Sequence, residues 1–365
     1  MLLKKLLYAV VCLAGVASAA SASKSRIFIV HSYHPEYLWE QDVNQGTVEA
    51  LASLGFIDKE EAATLRTSDS LSGAKSEIKK IWLDTKRKSK PAEMEEAAAK
   101  AFKEIDAFKP DIVLVSDDNG TRLIGQHYKD SKLPIVFCGV DETPIKYGLV
   151  ESMTHPGHNV TGAYQRGFYS EAAKALQKIK PTVKTFAVVG DDSETAKAKM
   201  VGIQEAINSG EMPLKLVGTV FSNSFEQWKA GVKKVADEAD AILVINHNTL
   251  KDSKGQPVDQ MQAGSWYLQN IKKPDFSSEK QFVQEGILIV AEDSGIRQGN
   301  EMVRLATRIL RRGEKPANIP PAHPPSGPII VNRERAKMLG IKIDGQDVIQ
   351  AFEDKSLALD KFPKG

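Results

Sequence analysis

Short, strand-like apolar runs punctuate this chain, and most are separated by stretches whose apolar residues recur at helical spacing. Ile27–Val30, Ile78–Leu83, Ile112–Val115 and Ile135–Phe137 read as strands in the first half. Phe186–Val189, Leu214–Val220, Ala241–Ile245 and residues 287–290 read as strands in the second. Runs so brief and so rich in β-branched residues suit strands buried on both faces. Between them, Val43, Thr47, Ala50, Leu51 and Leu54 share one helical face ahead of Gly55, and a helical pattern runs from Ala92 to Phe108. Further helices are predicted from about Thr121, over Ser170–Ile179, Ala196–Ile207 and Phe225–Ala236, and from Gln298 to Arg312, where Gly313 stops the last. Strand–helix alternation demands βαβ units and parallel sheets. The alternation restarts near residue 170, and about 340 residues exceed what one core supports. The expected fold is therefore α/β, with two doubly wound parallel-sheet lobes.

The first residues stand apart from that pattern. Lys4 and Lys5 precede an apolar stretch from Leu6 to Val16 and then a run of Ala and Ser. Residues 1–22 thus carry the marks of a secretory signal peptide, too short in its apolar part to span a bilayer. Export of the mature chain is the expectation. Removing Lys4 and Lys5 leaves 47 basic and 47 acidic residues, a formal net charge of zero. A neutral surface with no basic stripe gives nucleic acid no electrostatic footprint, so no nucleic-acid partner is expected. Beyond the leader only Cys138 remains, which excludes a disulfide framework and a multi-cysteine zinc site. Its place in a strand-like run makes it a buried small hydrophobe.

Chemistry concentrates after the strands. "IVLVSDDNG" (112–120), "FAVVGDDSE" (186–194) and "ILIVAEDSG" (287–295) each set two acids and a small polar residue behind an apolar run. Helix N-capping accounts for some of these side chains at about 1 kcal/mol each. The second acid of each pair has no such task and is free to accept from a ligand. Tyr33, His34, Tyr37 and Trp39 follow the first strand, at the end of an α/β sheet where ligands bind. Aromatic residues with polar tips suit either a packed loop or a cleft wall. Metal binding is the weaker reading, because His31, His34, His127, His155, His158, His247 and His323 form no helical i, i+4 pair. H-E-x-x-H, G-x-S-x-G, the P-loop and G-x-G-x-x-G are all missing.

Six segments, "HSYHPEYLWEQDVNQG", "IWLDTKRK", "PDIVLVSDDNG", "LPIVFCGVDETP", "NVTGAYQ" and "VNRERAKMLGIKI", together resemble the ABC-transporter substrate-binding proteins that include tryptophan- and tyrosine-type binders. They are most similar to a branch that also occurs as the extracellular sensor of some histidine kinases. Leu83 replaces that branch's methionine, and Asn119-Gly120 departs from its usual pair after the acids. The resemblance implies a type I periplasmic-binding-protein fold, with ligand held between lobes joined by three crossing segments. It puts lobe one at 24–162 plus 287–318 and lobe two at 163–286 plus 319–365. Crossings would fall near Thr161-Gly162, near Gly286 and in the proline-rich "KPANIPPAHPPSGP" (315–328).

Candidate ligand contacts on that basis are Ser32, Tyr33, Trp39, Asp117, Asp118, Asn119 and Asp141 from lobe one. Asp192, Ser193, Asn246 and Asn248 come from lobe two, and Asp293 and Ser294 from the third crossing region. The leading expectation is a monomeric receptor that delivers a small polar or amino-acid-like ligand to an ABC permease, with no cofactor, no metal and no catalysis. The alternatives are a ligand sensor acting in trans on a membrane histidine kinase or chemoreceptor, and an exported α/β enzyme.

Overall fold

The computed structural model of the protein describes residues 24–343 and 349–363. The expected signal peptide lies outside the described residues.

The first part of the chain runs β1 (Ser25–His31), α1 (Leu38–Ser53), α2 (Lys59–Thr67), β2 (Ser70–Ser72), β3 (Ser76–Trp82), α3 (Pro91–Phe108), β4 (Ile112–Ser116), α4 (Asp118–Tyr128), β5 (Ile135–Val140) and β6 (Val160–Tyr164). Next come α5 (Tyr169–Ile179), β7 (Thr185–Gly190), α6 (Glu194–Asn208), β8 (Lys215–Phe221), α7 (Phe225–Glu238), β9 (Ala241–Val244), α8 (Gln260–Asn270), β10 (Asp275–Glu279), α9 (Lys280–Glu285) and β11 (Ile289–Asp293). The chain ends with α10 (Gly295–Arg312), β12 (Ile329–Asn332), α11 (Arg333–Met338), β13 (Ala351–Glu353) and α12 (Leu357–Lys361). These strands form two sheets, in orders β2-β3-β1-β4-β5-β6 and β13-β12-β11-β10-β9-β7-β8. Both are mostly parallel; β2 runs antiparallel to β3, and β12 antiparallel to β11. Helices cover both faces of each sheet, so the fold is α/β.

The alternation of each strand explains the layering. Ile27 and Ile29 of β1 point to the face covered by α1 and α10, whereas Phe28 and Val30 point to the face covered by α3 and α4. In the second sheet Phe186 and Val188 of β7 face α5 and α6, and Ala187 and Val189 face α7 and α8. Each inward Ile, Leu or Phe contributes about 1.5–3 kcal/mol by leaving water. The residues between these layers have no free face, which is why the strands read as unbroken apolar runs.

Helix α10 packs on α1 with almost no space between backbones. A Cβ built on Gly46 would lie 2.1 Å from the carbonyl oxygen of Ile296, and one on Gly299 would lie 2.4 Å from that of Val43. Gly46→Val must push the helices apart and is expected to cost about 1–3 kcal/mol. Urea denaturation checks this; an unchanged midpoint would show that the crossing yields freely.

Three expectations about the chain path need correction. Residues 287–293 belong to the second sheet, because β11 pairs with β10 and β12. The return to the first lobe therefore follows Asp293, well after Gly286, and α10 is the first element after it to pack on the first sheet. The earlier crossing begins after Tyr164, since β6 pairs with β5 through that residue. Ile319 and Ala322 stay with the first lobe: Thr161 Oγ1 donates to the Ile319 carbonyl at 2.6 Å, and Ala322 bridges Ala163. Beyond these, β10 is a buried strand that its polar sequence "DFSSE" concealed.

Candidate functional site

The carboxyl ends of the parallel strands from both sheets meet at one gap. From the first lobe, the β1–α1 turn brings Tyr33 and Tyr37, with Trp39 on the opening turn of α1. The β3–α3 loop brings Lys86, the β4–α4 junction Asp117, and the end of β5 leads to Asp141. Facing them, α6 presents Thr195 and Lys199, β9 leads to Asn246, and β10 ends on Glu279. Gln165 lies on the crossing between them. The pocket at this point measures about 10 Å³, the room of about one water, and Asp141, Gln165 and Lys199 also line a larger opening of about 480 Å³ beside it.

Hydrogen bonds span the gap. Asn248 Nδ2 and Gln281 Nε2 of the second lobe both donate to the Tyr37 hydroxyl of the first, at 2.7 and 3.1 Å. Lys199 Nζ pairs with Glu279 on its own lobe and lies 3.8 Å from Asp141 on the other. At the rim, Arg122 faces Glu194 at 3.5 Å and Lys280 faces Asp42 at 3.5 Å. The lobes are closed on each other.

Of the residues singled out from sequence, Tyr33, Trp39, Asp117, Asp141 and Asn246 line the cavity. Asn248 touches it through Tyr37, and buried Asp293 lies against the Gln165 amide, 3.3 Å away. The others stitch the walls together. Ser32 Oγ donates to the Ser116 carbonyl and accepts from Gly120 N at 2.7 Å, fixing the start of α4. Asp118 accepts from Glu142 N at 3.0 Å and from the Tyr147 hydroxyl at 3.1 Å, which holds the loop after Asp141. Asn119 donates to Thr85 Oγ1 at 3.0 Å. Ser193 and Ser294 are the N-caps of α6 and α10, accepting from Ala196 N and Arg297 N. The serines, not the acids before them, satisfy those helix ends.

Asp192 is a correction. Its side chain is half exposed and pairs with Lys197 at 2.8 Å on the surface. Its neighbour Asp191 is the buried acid, accepting from Asn248 N at 2.8 Å, Thr249 N at 2.9 Å and Asn246 Nδ2 at 3.2 Å. Consecutive side chains leaving a strand point to opposite sides, and this pair has the inward position one residue earlier than expected.

Lys86, Gln165, Thr195, Lys199, Glu279 and Gln281 were missed. Lys86 sits inside the segment "IWLDTKRK", yet a lysine among basic neighbours reads as a solvated face. Lys199 belongs to the lysine-rich "ETAKAKMVGIQEAIN", and nothing in its spacing marks one lysine as buried.

The turn that presents Asp117 is tightly determined. Asp117 adopts a left-handed backbone, φ 58°, and Trp39 Nε1 donates to its Oδ1 at 2.8 Å. Gly139 beside it has φ 70°, and a Cβ there would come within 3.1 Å of the same oxygen. A strained non-glycine residue persists only where its surroundings over-determine it.

Burial, then the nearby acids Glu40 and Asp118, push the Asp117 carboxyl well above its ordinary range. Asp141 is raised as well, by burial against the opposing pull of Lys199. Burial disfavours the Lys199 charge, but Asp141 and Glu279 outweigh it and hold the ammonium well above its usual value. Lys86 moves the other way: burial lowers it, only partly offset by Asp191 and Asp117. Cys138 is fully buried beneath this site, and burial first of all pushes its thiol up, so it is no nucleophile. Among the described residues no group of three or more His, Cys, Asp or Glu side chains could hold a metal ion, and no helix is long and apolar enough to cross a membrane.

Known proteins share this architecture. The L-Trp complex of an ABC domain from Streptococcus pneumonia superposes with TM-score 0.68 at 20% identity, over 91% of this chain and 100% of that one. A conserved domain protein from Vibrio cholerae gives 0.70 at 18% identity with the same coverage. The ligand-free, open form of a Clostridium difficile substrate binding protein with adhesive properties gives 0.62 at 21%, again over 91% and 100%. At these identities the likeness is one of fold, the type I periplasmic-binding-protein fold. In sequence, a tyrosine-binding protein of Clostridioides difficile is 22% identical over 211 residues, spanning 58% of each chain. The family model described as ABC transporter substrate binding protein matches residues 67–355, most of the chain, and the protein belongs to that family.

Proposed function

We propose that the protein is the extracytoplasmic solute receptor of an ABC importer, and that it captures a small polar or amino-acid-like ligand in the gap between its lobes. One observation supports this reading above the rest. Turns from both sheets bring ionisable and aromatic side chains to a single buried point, where contacts made to both lobes favour the closed form. Such contacts are what allow a ligand to drive hinge closure. The C. difficile relative named for tyrosine and the L-Trp complex agree with an amino-acid-like ligand. The permease would read the closed form from outside the membrane, after export through the leader at residues 1–22. Turnover forms no part of this role.

The test is mass spectrometry of whatever small molecule leaves the protein on denaturation, followed by calorimetry of the stripped protein with a panel of amino acids and small metabolites. A co-purifying solute that rebinds saturably at one site per chain is expected. No bound solute and no heat from any panel member would overturn the proposal.

A further inference from the structure

The geometry points to a ligand of net positive charge that bears at least one primary ammonium, a diamine or a basic amino acid, as the solute of this cleft. The inference rests on reading the cleft as a solute site and concerns what that site selects. Its walls carry Asp117, Asp141 and Glu279, with Asp293 joined through Gln165, against only two ammonium groups, Lys86 and Lys199. Lys199 is committed to Glu279 and Asp141. Lys86 has no carboxylate within 4 Å among the described residues; its Nζ lies 4.3 Å from the Tyr33 ring centroid and 5.8 Å from that of Tyr37.

The unmet demand within the walls is for donors. Asp117 Oδ2, Asn248 Oδ1 and Gln281 Oε1 are buried with no hydrogen-bond partner, and each belongs to a residue less than 9% exposed. The amide nitrogens beside the last two are already used. Asn248 Nδ2 serves Tyr37 and Asn246, and Gln281 Nε2 serves Tyr37 and Glu279. Leaving a buried acceptor unpaired is costly, so a ligand that supplies N–H groups gains here, and its positive charge draws the four acids towards the ionised form, which a carboxylate ligand would oppose. The aromatic faces suit a cation too, and Lys86 already places an ammonium over them. Since the pocket at the rings has room for about one water, a ligand ammonium seated over the tyrosines competes with Lys86 for that place.

Calorimetry on the stripped full chain with putrescine, lysine, norleucine, tryptophan and glutamate tests this. Putrescine or lysine is expected to bind at least tenfold tighter than the other three. A preference for putrescine identifies a diamine site, and one for lysine a basic-amino-acid site. Norleucine, tryptophan or glutamate binding as tightly as both amines would overturn the charge inference while leaving a solute receptor in place. Silence from all five, with no solute found by mass spectrometry, would overturn the receptor reading beneath it. Two variants sharpen the result. Asp117→Asn should weaken amine binding at least tenfold with the melting profile retained. Lys86→Met removes the competing ammonium and should tighten amine binding at least tenfold, a gain that misfolding cannot mimic. Equal or weaker amine binding by Lys86→Met would overturn the inference.

Discussion

Replacing Arg335 by alanine is expected to cost about 3–5 kcal/mol of stability, the range for stranding a buried charge by removing its partner. Arg335 on α11 is fully buried. Its Nε and Nη2 donate to Asp275 Oδ2 at 3.0 and 2.5 Å, its Nη1 to the Leu268 carbonyl at 3.1 Å, and its Nη2 also to the Ile271 carbonyl at 2.9 Å. Leu268 lies in the last turn of α8 and Ile271 caps it, so the guanidinium satisfies carbonyls at the negative end of that helix. Asp275 opens β10 and accepts from Leu288 N at 2.6 Å through its other oxygen. One side chain thus ties α11, α8, β10 and the approach to β11. Truncation leaves a buried carboxylate, carbonyls without donors and a cavity. Lysine at 335 would keep the charge but not the planar fork, and should recover only part of the loss. The pair as a whole is another matter: Asp275→Leu with Arg335→Met removes both charges together and should destabilise less than Arg335→Ala alone. Urea denaturation of the three variants decides it, and a loss below about 1 kcal/mol for Arg335→Ala would show that water reaches the pair.

The same region shows where the sequence speaks and where it is silent. Strands such as Ile112–Ser116 announce themselves because both faces are covered by helices, leaving an apolar run of the right length. The central strand Asp275–Glu279 is covered equally, yet it meets its surroundings with polar groups. Asp275 takes Arg335, Ser277 Oγ donates to the Val244 carbonyl at 2.6 Å, and Ser278 Oγ accepts from Phe168 N at 2.8 Å. Without knowing those partners, "DFSSE" reads as a turn. That silence also hid Glu279, the acid that binds Lys199.

The cleft follows the same rule. Tyr33, Trp39 and Asp117 could be found because strand ends in such folds face ligands. Asp191 and Asp192 could not be told apart, since identical residues one position apart differ only in which way the backbone turns them. Lys86 and Lys199 carry no local mark of burial either, because their partners, the Tyr33 and Tyr37 rings for one and Glu279 for the other, lie far along the chain.

The ligand-free protein is expected to lose stability as pH rises, and Asp293 should account for a separable part of the loss. Burial first, and then the neighbouring Glu279, push its carboxyl from the ordinary 3.8 up to about 7. A carboxyl whose folded value is raised contributes fully below its unfolded value, and the contribution fades as pH climbs through the folded one. The window is therefore about pH 4 to pH 7. A shift of about three units corresponds to on the order of 4 kcal/mol by the top of it. Asp293→Asn keeps a neutral acceptor for Gln165 and cannot ionise. It should match the parent near pH 4 and exceed it by on the order of 3–4 kcal/mol at pH 8. A bound ammonium ligand would act in the opposite sense, favouring the ionised acids of the cleft. Its binding should release protons and strengthen between pH 5 and pH 8, which calorimetry in buffers of differing ionisation heat detects. Parallel stability profiles for parent and Asp293→Asn across that range would mean that this carboxylate is already charged in the closed, empty cleft, and that closure carries no proton with it.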